Sequence, residues 1–296
     1  MKKTLLGVAL LSLPLWAWAK LPVVASFSIV ADMTREIGGD RVEVVSLVGP
    51  NQDAHVFQPA PADVKRLAAA KVFVVNGLGF EGWMGRLTRS AGFKGTLIEA
   101  SKGIQPLMVE DHGVEEHGHQ HGGIDPHAWQ DPARVQTYIK NIAEGLSKAD
   151  PEGQAVYRQR AADYGRKVGE LDQWAAKALA AVPAVQRKVL TSHDAFAYLG
   201  KRYGIQLLSP QGVSTDTEAS AKAVAMLVRQ IKKEKVKAVF FENMSDKRLL
   251  EQLAREANVK ADAALYADAL SAPNGPANSY LALFRYNVNT ILKSFR

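Results

Sequence analysis

Four of the seven histidines in this 296-residue chain fall within ten residues, at His112, His117, His119 and His121 in the stretch DHGVEEHGHQHGG. The other three stand apart at His55, His127 and His193, and the chain has no cysteine. Imidazoles with carboxylates beside them and no thiol are a donor set for a divalent transition metal. His55 lies in GPNQDAHVFQP, after an apolar run ending at Val48. His127 lies in DPHAWQDP, a turn between two prolines. His193 directly follows VLTS, and Asp268 in YADALS follows an apolar run ending near Leu265. There is no HExxH pattern and no close ligand pair on one helix. Taken alone, a histidine is more often a hydrogen-bonded structural residue than a ligand. A lone aspartate after a strand is more often a turn or cap residue. The spacing is therefore suggestive rather than diagnostic. What sets the group apart is that all three lone histidines fall at strand–loop or loop–helix junctions.

The elements that must hold these residues alternate between strand and helix. Strands are expected at 22–27, 42–48, 72–76 and 96–99, with helices at 30–37, 62–70, 82–90 and 132–146. A second series follows, with strands at 188–191, 205–209, 236–241 and 259–265. Helices there are expected at 195–203, 218–233, 246–257 and 279–295. Such alternation predicts parallel sheets covered by helices. Between the two series, 151–182 is polar, charged and alanine-rich, with Val156, Tyr164, Val168, Leu171, Trp174 and Leu179 at helical spacing. Asp150 is placed to cap it, Pro151 suits its first position, and Pro183 ends it. Unbroken, it would span about 48 Å at 1.5 Å per residue; a break near Gly165 or Gly169 would give two shorter helices instead. The expected fold is α/β, with two lobes of four-stranded, mainly parallel sheets joined by one long rigid helix. The expected divisions are a leader at 1–19, a first lobe at 20–149 with a His-rich loop at 111–123, the linking helix at 150–183 and a second lobe at 184–296. His55, His127, His193 and Asp268 then fall near carboxyl ends of strands or in turns, where open α/β sheets build ligand sites. Two come from each lobe, so an ion would lie between the lobes.

Composition bounds the function further. Lys2 and Lys3 precede an almost wholly apolar run from Leu5 to Trp18, closed by Ala17-Trp18-Ala19. That is the pattern of a cleaved secretory leader, and the run is short for a membrane span. The expected location is the periplasm. No cysteine follows to take a lipid, and no disulfide can staple the fold. The net charge is +7 and the basic residues are scattered. The densest run, Lys232-Lys233-Glu234-Lys235, reads as a solvated helix end, so no nucleic-acid partner is expected. The protein is expected to be a monomer.

At this point the residues resemble a known family. PVVASFSIVADMTREIGGDRVEVVSLVGPNQDAHVFQPAPADVKRLAAAKVFVVNGLGFEGW, DPHAWQDP, TSHDAFAYLGKRYGI, KAVFFEN and LYADAL…SYLALFRYN are similar to the landmarks of zinc- and manganese-specific periplasmic solute-binding proteins of metal ABC transporters, zinc-binding subgroup of cluster A-I. The resemblance covers the chain beyond the leader. It implies two α/β lobes joined by one rigid helix, with a metal between them on His55, His127, His193 and Asp268. It implies capture of a divalent ion and its delivery to a membrane ABC permease, and no enzyme activity. Zinc-handling members often carry a His- and acid-rich insertion before the second ligand; here 111–123 is short, and weak auxiliary binding is expected at His112, His117, His119 and His121. Three imidazoles and one carboxylate favour zinc as cargo, with manganese the alternative, since manganese prefers more oxygen and a higher coordination number. A secreted zinc hydrolase is the competing class. It would need an open metal position and a base, for which Glu242 in FFEN is the only nominee, and Glu242 could equally orient a ligand imidazole.

Overall fold

The computed structural model describes residues 19–108, 123–210, 212–216, 221–234, 236, 238–244 and 247–295. The expected leader, save Ala19, and the histidines His112, His117, His119 and His121 lie outside the described residues. The alternation read in the sequence produces two parallel sheets. In the first, β1 (Leu21–Phe27), α1 (Ser28–Gly38), β2 (Val42–Val48), α2 (Pro61–Ala69), β3 (Val72–Val75), α3 (Met84–Ala91) and β4 (Thr96–Glu99) give the strand order β2-β1-β3-β4. The VFVV of β3 is buried throughout, as expected of a parallel strand with helices on both faces. A two-stranded antiparallel pair follows, β5 (Leu107–Met108) and β6 (Ile124–Asp125). Two residues per strand are too few for a periodicity, and the sequence does not announce this pair.

Next come α4 (Pro132–Ala149), α5 (Gln154–Ala180), β7 (Lys188–Leu190), α6 (Ala197–Tyr203), β8 (Gln206–Leu208), α7 (Ala221–Glu234), β9 (Ala238–Glu242), α8 (Lys247–Ala257), β10 (Lys260–Leu265) and α9 (Tyr280–Ser294). The second sheet runs β10-β9-β7-β8, again parallel. Local signals set several boundaries. Asp131 caps α4 by accepting the Ala133 N–H, with Pro132 in the first turn. Gly204, at φ 68°, ends α6 in the left-handed conformation that glycine adopts without strain. Among the described residues, no helix is long and apolar enough to cross a membrane.

The long helix is α5, 27 residues without a break at Gly165 or Gly169, or about 40 Å. It buries Tyr157, Tyr164, Val168, Leu171, Ala175 and Leu179, a stripe at helical spacing. This stripe packs on α1 and α4 from the first series and on α6 and α9 from the second. Two expectations need correction. Val156 is 43% exposed, and Tyr157 beside it turns inward instead. Asp150 does not cap with its side chain, and Pro151–Gly153 forms a 3-10 turn before the α-helix begins. The reason is competition for the carboxylate: Arg41 takes it through Nε at 2.8 Å and Nη2 at 2.9 Å, and the Tyr157 hydroxyl donates to it at 2.6 Å. Asp150 thus pins the start of α5 to the α1–β2 connection. Leu171→Ala is expected to cost about 2–5 kcal/mol. Val156→Ala should fall within about 0.5 kcal/mol of wild type. Denaturant unfolding of the metal-free protein, far-ultraviolet signal against urea, checks both.

Among the described residues, nearly all the buried apolar side chains fall into two clusters. The larger runs from the first sheet through the α5 stripe to α6, α9, Phe240 and Leu265. The smaller lies on the outer side of the second sheet, where Leu190 and Val239 meet Leu227, Val228 and Ile231 of α7 and Leu250, Leu253, Ala254 and Ala257 of α8.

Candidate metal site

His55, His127, His193 and Asp268 converge. One ligand atom from each lies within 4.8 Å of all the others. His55 sits on the loop after β2. His127 follows β6 and opens a 3-10 turn at Ala128–Gln130. His193 follows β7, and Asp268 follows β10. The second sheet changes its direction of winding between β7 and β9, so His193 emerges at the switch point of that sheet.

The same local device sets two of the histidines. Asp53 Oδ1 accepts the His55 backbone N–H, and Asp125 Oδ1 accepts the His127 backbone N–H, each at 2.9 Å. Both are Asx turns, in which an aspartate hydrogen-bonds the backbone two residues on. The signal in the sequence is a repeated Asp-x-His, DAH and DPH. Asp125 does more, because its Oδ1 also accepts from the His127 ring Nδ1 at 2.8 Å. Glu242, at the end of β9, accepts from His193 Nδ1 at 2.5 Å and from the Ser192 and His193 backbone N–H groups at 2.9 and 3.0 Å. A carboxylate on Nδ1 fixes the proton there and turns the Nε2 lone pair toward the centre. Asp125 was not singled out by sequence reasoning. Glu242 was, and it takes the orienting role rather than that of a base.

Distances around the centre suit an ion. His55 Nε2 is 3.3 Å from His127 Nε2 and 3.3 Å from Asp268 Oδ2. His193 Nε2 is 3.1 Å from Asp268 Oδ2, and His127 Nε2 is 3.5 Å from Asp268 Oδ1. A tetrahedral ion with bonds of about 2.0–2.1 Å has ligand–ligand edges of about 3.3–3.4 Å. His127, His193 and Asp268 are fully buried. His193 Nε2 and both Asp268 oxygens have no hydrogen-bond partner. Buried polar atoms are ordinarily paired, so an orphaned nitrogen and two orphaned oxygens facing one point mark a place for a cation. Aromatic rings wall it off: Phe80 packs edge-on to His55 at 4.7 Å between centroids, and Trp129 lies 5.1 Å from His127.

Residues of the two series meet across the site. Trp129 Nε1 and Gln130 Nε2 donate to the Ala267 carbonyl, and the Asn51 N–H donates to Leu270 O. The Thr215 hydroxyl donates to Asp53, and Asn243 Nδ2 to Asn51 Oδ1.

Without an ion, protons balance the charges. Burial alone would depress the pKa of His127, but the Asp268 and Asp125 carboxylates outweigh it and push it up to about 9. Burial likewise opposes the charged form of His193, and Glu242 and Asp268 raise it well above the usual imidazole range. Burial would raise Asp268, but the His193 and His127 charges hold it well below the usual carboxylate range. Both shifts favour the protonated rings in the metal-free site, so an ion bound there would compete with protons. Metal affinity should fall as pH drops and rise as pH increases, because the pKa values of both His127 and His193 are raised. Calorimetric titration at pH 7 in buffers of different protonation enthalpy should record net release of protons on ion binding. Release of none would contradict the charge state described here.

Over residues 23–294 the sequence matches the family described as the periplasmic component A of the zinc-uptake complex, ZnuA. It is 30% identical over 278 residues to the manganese ABC transporter substrate-binding lipoprotein PsaA of Streptococcus pneumoniae, covering 92% of this chain and 88% of that protein. It is 30% identical over 276 residues to the iron-binding protein YfeA of Yersinia pestis, covering 93% and 86%. The fold superposes on the periplasmic zinc-binding protein TroA of Treponema pallidum with a TM-score of 0.86 at 26% identity, covering 94% of this chain and 99% of that one.

Proposed function

The chain belongs to the ZnuA family of metal ABC transporter solute-binding proteins, and on that premise we propose that it captures zinc in the periplasm on His55, His127, His193 and Asp268. Members of the family are solute-binding proteins, not enzymes, and their partners are a divalent metal ion and a membrane ABC permease. The observation that carries the zinc reading is the donor set, three imidazole nitrogens and one carboxylate whose ligand atoms all lie within 4.8 Å of one another, with the imidazole nitrogens 3.1–3.5 Å from the Asp268 oxygens, which suits a four-coordinate ion. We assign residues 20–149 and 184–296 to the two lobes and 150–183 to the helix between them. Cleavage after Ala19 would free the mature protein, and with no cysteine in the chain it would carry no lipid. His112, His117, His119 and His121 would hold further zinc weakly. Deleting 111–123 should then remove only the weak phase of a zinc titration.

Manganese is the second reading, and one observation favours it. Both oxygens of Asp268 face the imidazole nitrogens and make no hydrogen bond, so the carboxylate can bind through two atoms and raise the coordination number to five, as manganese prefers over zinc. Relatives named for manganese and iron match this chain over 88% and 86% of their own length. Elemental analysis of the protein purified from its own periplasm separates the readings: zinc in excess of manganese supports the first, manganese in excess overturns it.

A substitution tests the chemistry behind the choice. His193→Glu exchanges nitrogen for oxygen, but it would set a second carboxylate against Glu242, and two such groups cannot both stay ionised. The variant is therefore paired with Glu242→Gln. The ratio of manganese to zinc affinity, measured by competition at fixed pH, should rise about tenfold, with zinc still the tighter ion. An unchanged ratio would place selectivity outside the ligand set.

A further inference from the structure

Asp268 is oriented through the peptides before it rather than through its carboxylate, whose oxygens have no hydrogen-bond partner. Asn287 of α9, fully buried, grips the Tyr266 peptide on both sides. It accepts the Tyr266 N–H at 2.9 Å, and its Nδ2 donates to the Tyr266 carbonyl at 2.8 Å. The next carbonyl, that of Ala267, accepts two donors from the other half of the chain: Gln130 Nε2 at 2.9 Å and Trp129 Nε1 at 3.0 Å. Both donors lie in the 3-10 turn that His127 opens. A carbonyl has two lone pairs, so with both engaged the peptide joining Ala267 to Asp268 has little freedom to rotate.

Gln130 is an expensive way to fill that space. It is fully buried, and its Oε1 has no partner. Its orientation follows from the partner it does have, since only the amide nitrogen can face a carbonyl oxygen. Leucine or methionine would occupy the same volume without an orphaned oxygen. The amide is explained by its donor.

We infer that Gln130, together with Trp129, is a positioning residue for Asp268: the His127 turn reaches across the site, holds the Ala267 carbonyl, and so aims the carboxylate supplied by the other half of the chain. This rests on the reading of Asp268 as a metal ligand. A ligand displaced by a few tenths of an ångström loses much of its bond. The arrangement makes the carboxylate from one sheet correct only when the histidine turn from the other is in place.

A double-mutant cycle on the full chain tests it. Zinc affinity is measured by chelator competition for wild type, Gln130→Leu, Asp268→Ala and the double variant, with thermal unfolding of each metal-free protein alongside. Gln130→Leu should raise Kd about tenfold in the wild-type background and less than about twofold when Asp268 is already alanine. Trp129→Phe, which keeps an aromatic ring of smaller size and removes the N–H, should show the same dependence. Cobalt(II) serves as a spectroscopic probe: the visible bands of the Gln130→Leu complex should shift from those of wild type. An equal loss in both backgrounds, or weaker binding with an unchanged cobalt spectrum, would show a merely structural role and overturn the inference. Asp268→Ala weak with Gln130→Leu unchanged overturns the positioning role alone. Wild-type affinity in Asp268→Ala overturns the ligand reading, and the inference with it.

Discussion

His193→Ala weakens zinc binding by about two to three decades. A four-ligand zinc site in a small protein is worth about 10–16 kcal/mol at neutral pH, which is about 2.5–4 kcal/mol per ligand at 1.4 kcal/mol per decade. His193 should sit at the upper end. Its ring is fully buried, its Nε2 faces the centre without another partner, and Glu242 locks the opposite nitrogen. Alanine leaves a gap lined by carboxylates and offers no donor in its place. His127→Ala should cost as much, because its ring is also fully buried and Asp125 holds its Nδ1. Competition against a chromophoric chelator at pH 7 reads the result, with circular dichroism confirming that the metal-free variants fold. Affinity within about threefold of wild type in either variant removes that histidine from the site.

Zinc raises the melting temperature of the mature protein by roughly 8–16 °C at free metal a thousandfold above Kd. A ligand bound only by the folded state stabilises it by mass action, about 4.1 kcal/mol at that excess. A chain of this size gains about 2–4 °C per kcal/mol. The site cannot exist in the unfolded chain, because its four ligands are spread from position 55 to position 268. Without cysteine the unfolded chain has no thiolate to hold zinc, and the local cluster at His112–His121 would hold it only weakly. Differential scanning calorimetry with and without chelator measures the shift. Manganese at the same free concentration should give a smaller one. An equal or larger shift with manganese would contradict the zinc reading and leave the coordination site intact.

Much of this was legible in the sequence because it is written in periodicity. Alternating apolar runs place all eight strands of the two sheets, and a stripe at helical spacing gives α5 without the break that Gly165 or Gly169 would suggest. The four candidate ligands lie at strand ends and turns, a suggestive pattern that the family resemblance sharpened. What escaped was decided by neighbours distant in the chain. No local pattern says that Arg41 will claim Asp150 and deprive α5 of its cap, or that Tyr157 rather than Val156 will turn inward. Gln130 meets Ala267 across 137 residues. Asp125 is the exception. Its Asp-x-His spacing, shared with Asp53 and His55, was a readable signal.

The split of the buried side chains into two clusters bears on how the molecule comes apart. Proteins open in cooperative units, and a unit is held by its own buried contacts. Here the outer layer of the second sheet, α7 and α8 against Leu190 and Val239, has a small nucleus of its own. The larger cluster spans the first sheet, α4, α5, α6 and α9 and carries the turn of His127 and the approach to Asp268. The strands β7 and β9, which lead to His193 and Glu242, lie on the seam, contributing Leu190 and Val239 to one side and Val189 and Phe240 to the other. Amide exchange in α7 and α8 is therefore expected to run ahead of exchange in α4 and α5. Of the four ligands, His193 is the one whose footing is shared between a unit that loosens early and one that loosens last.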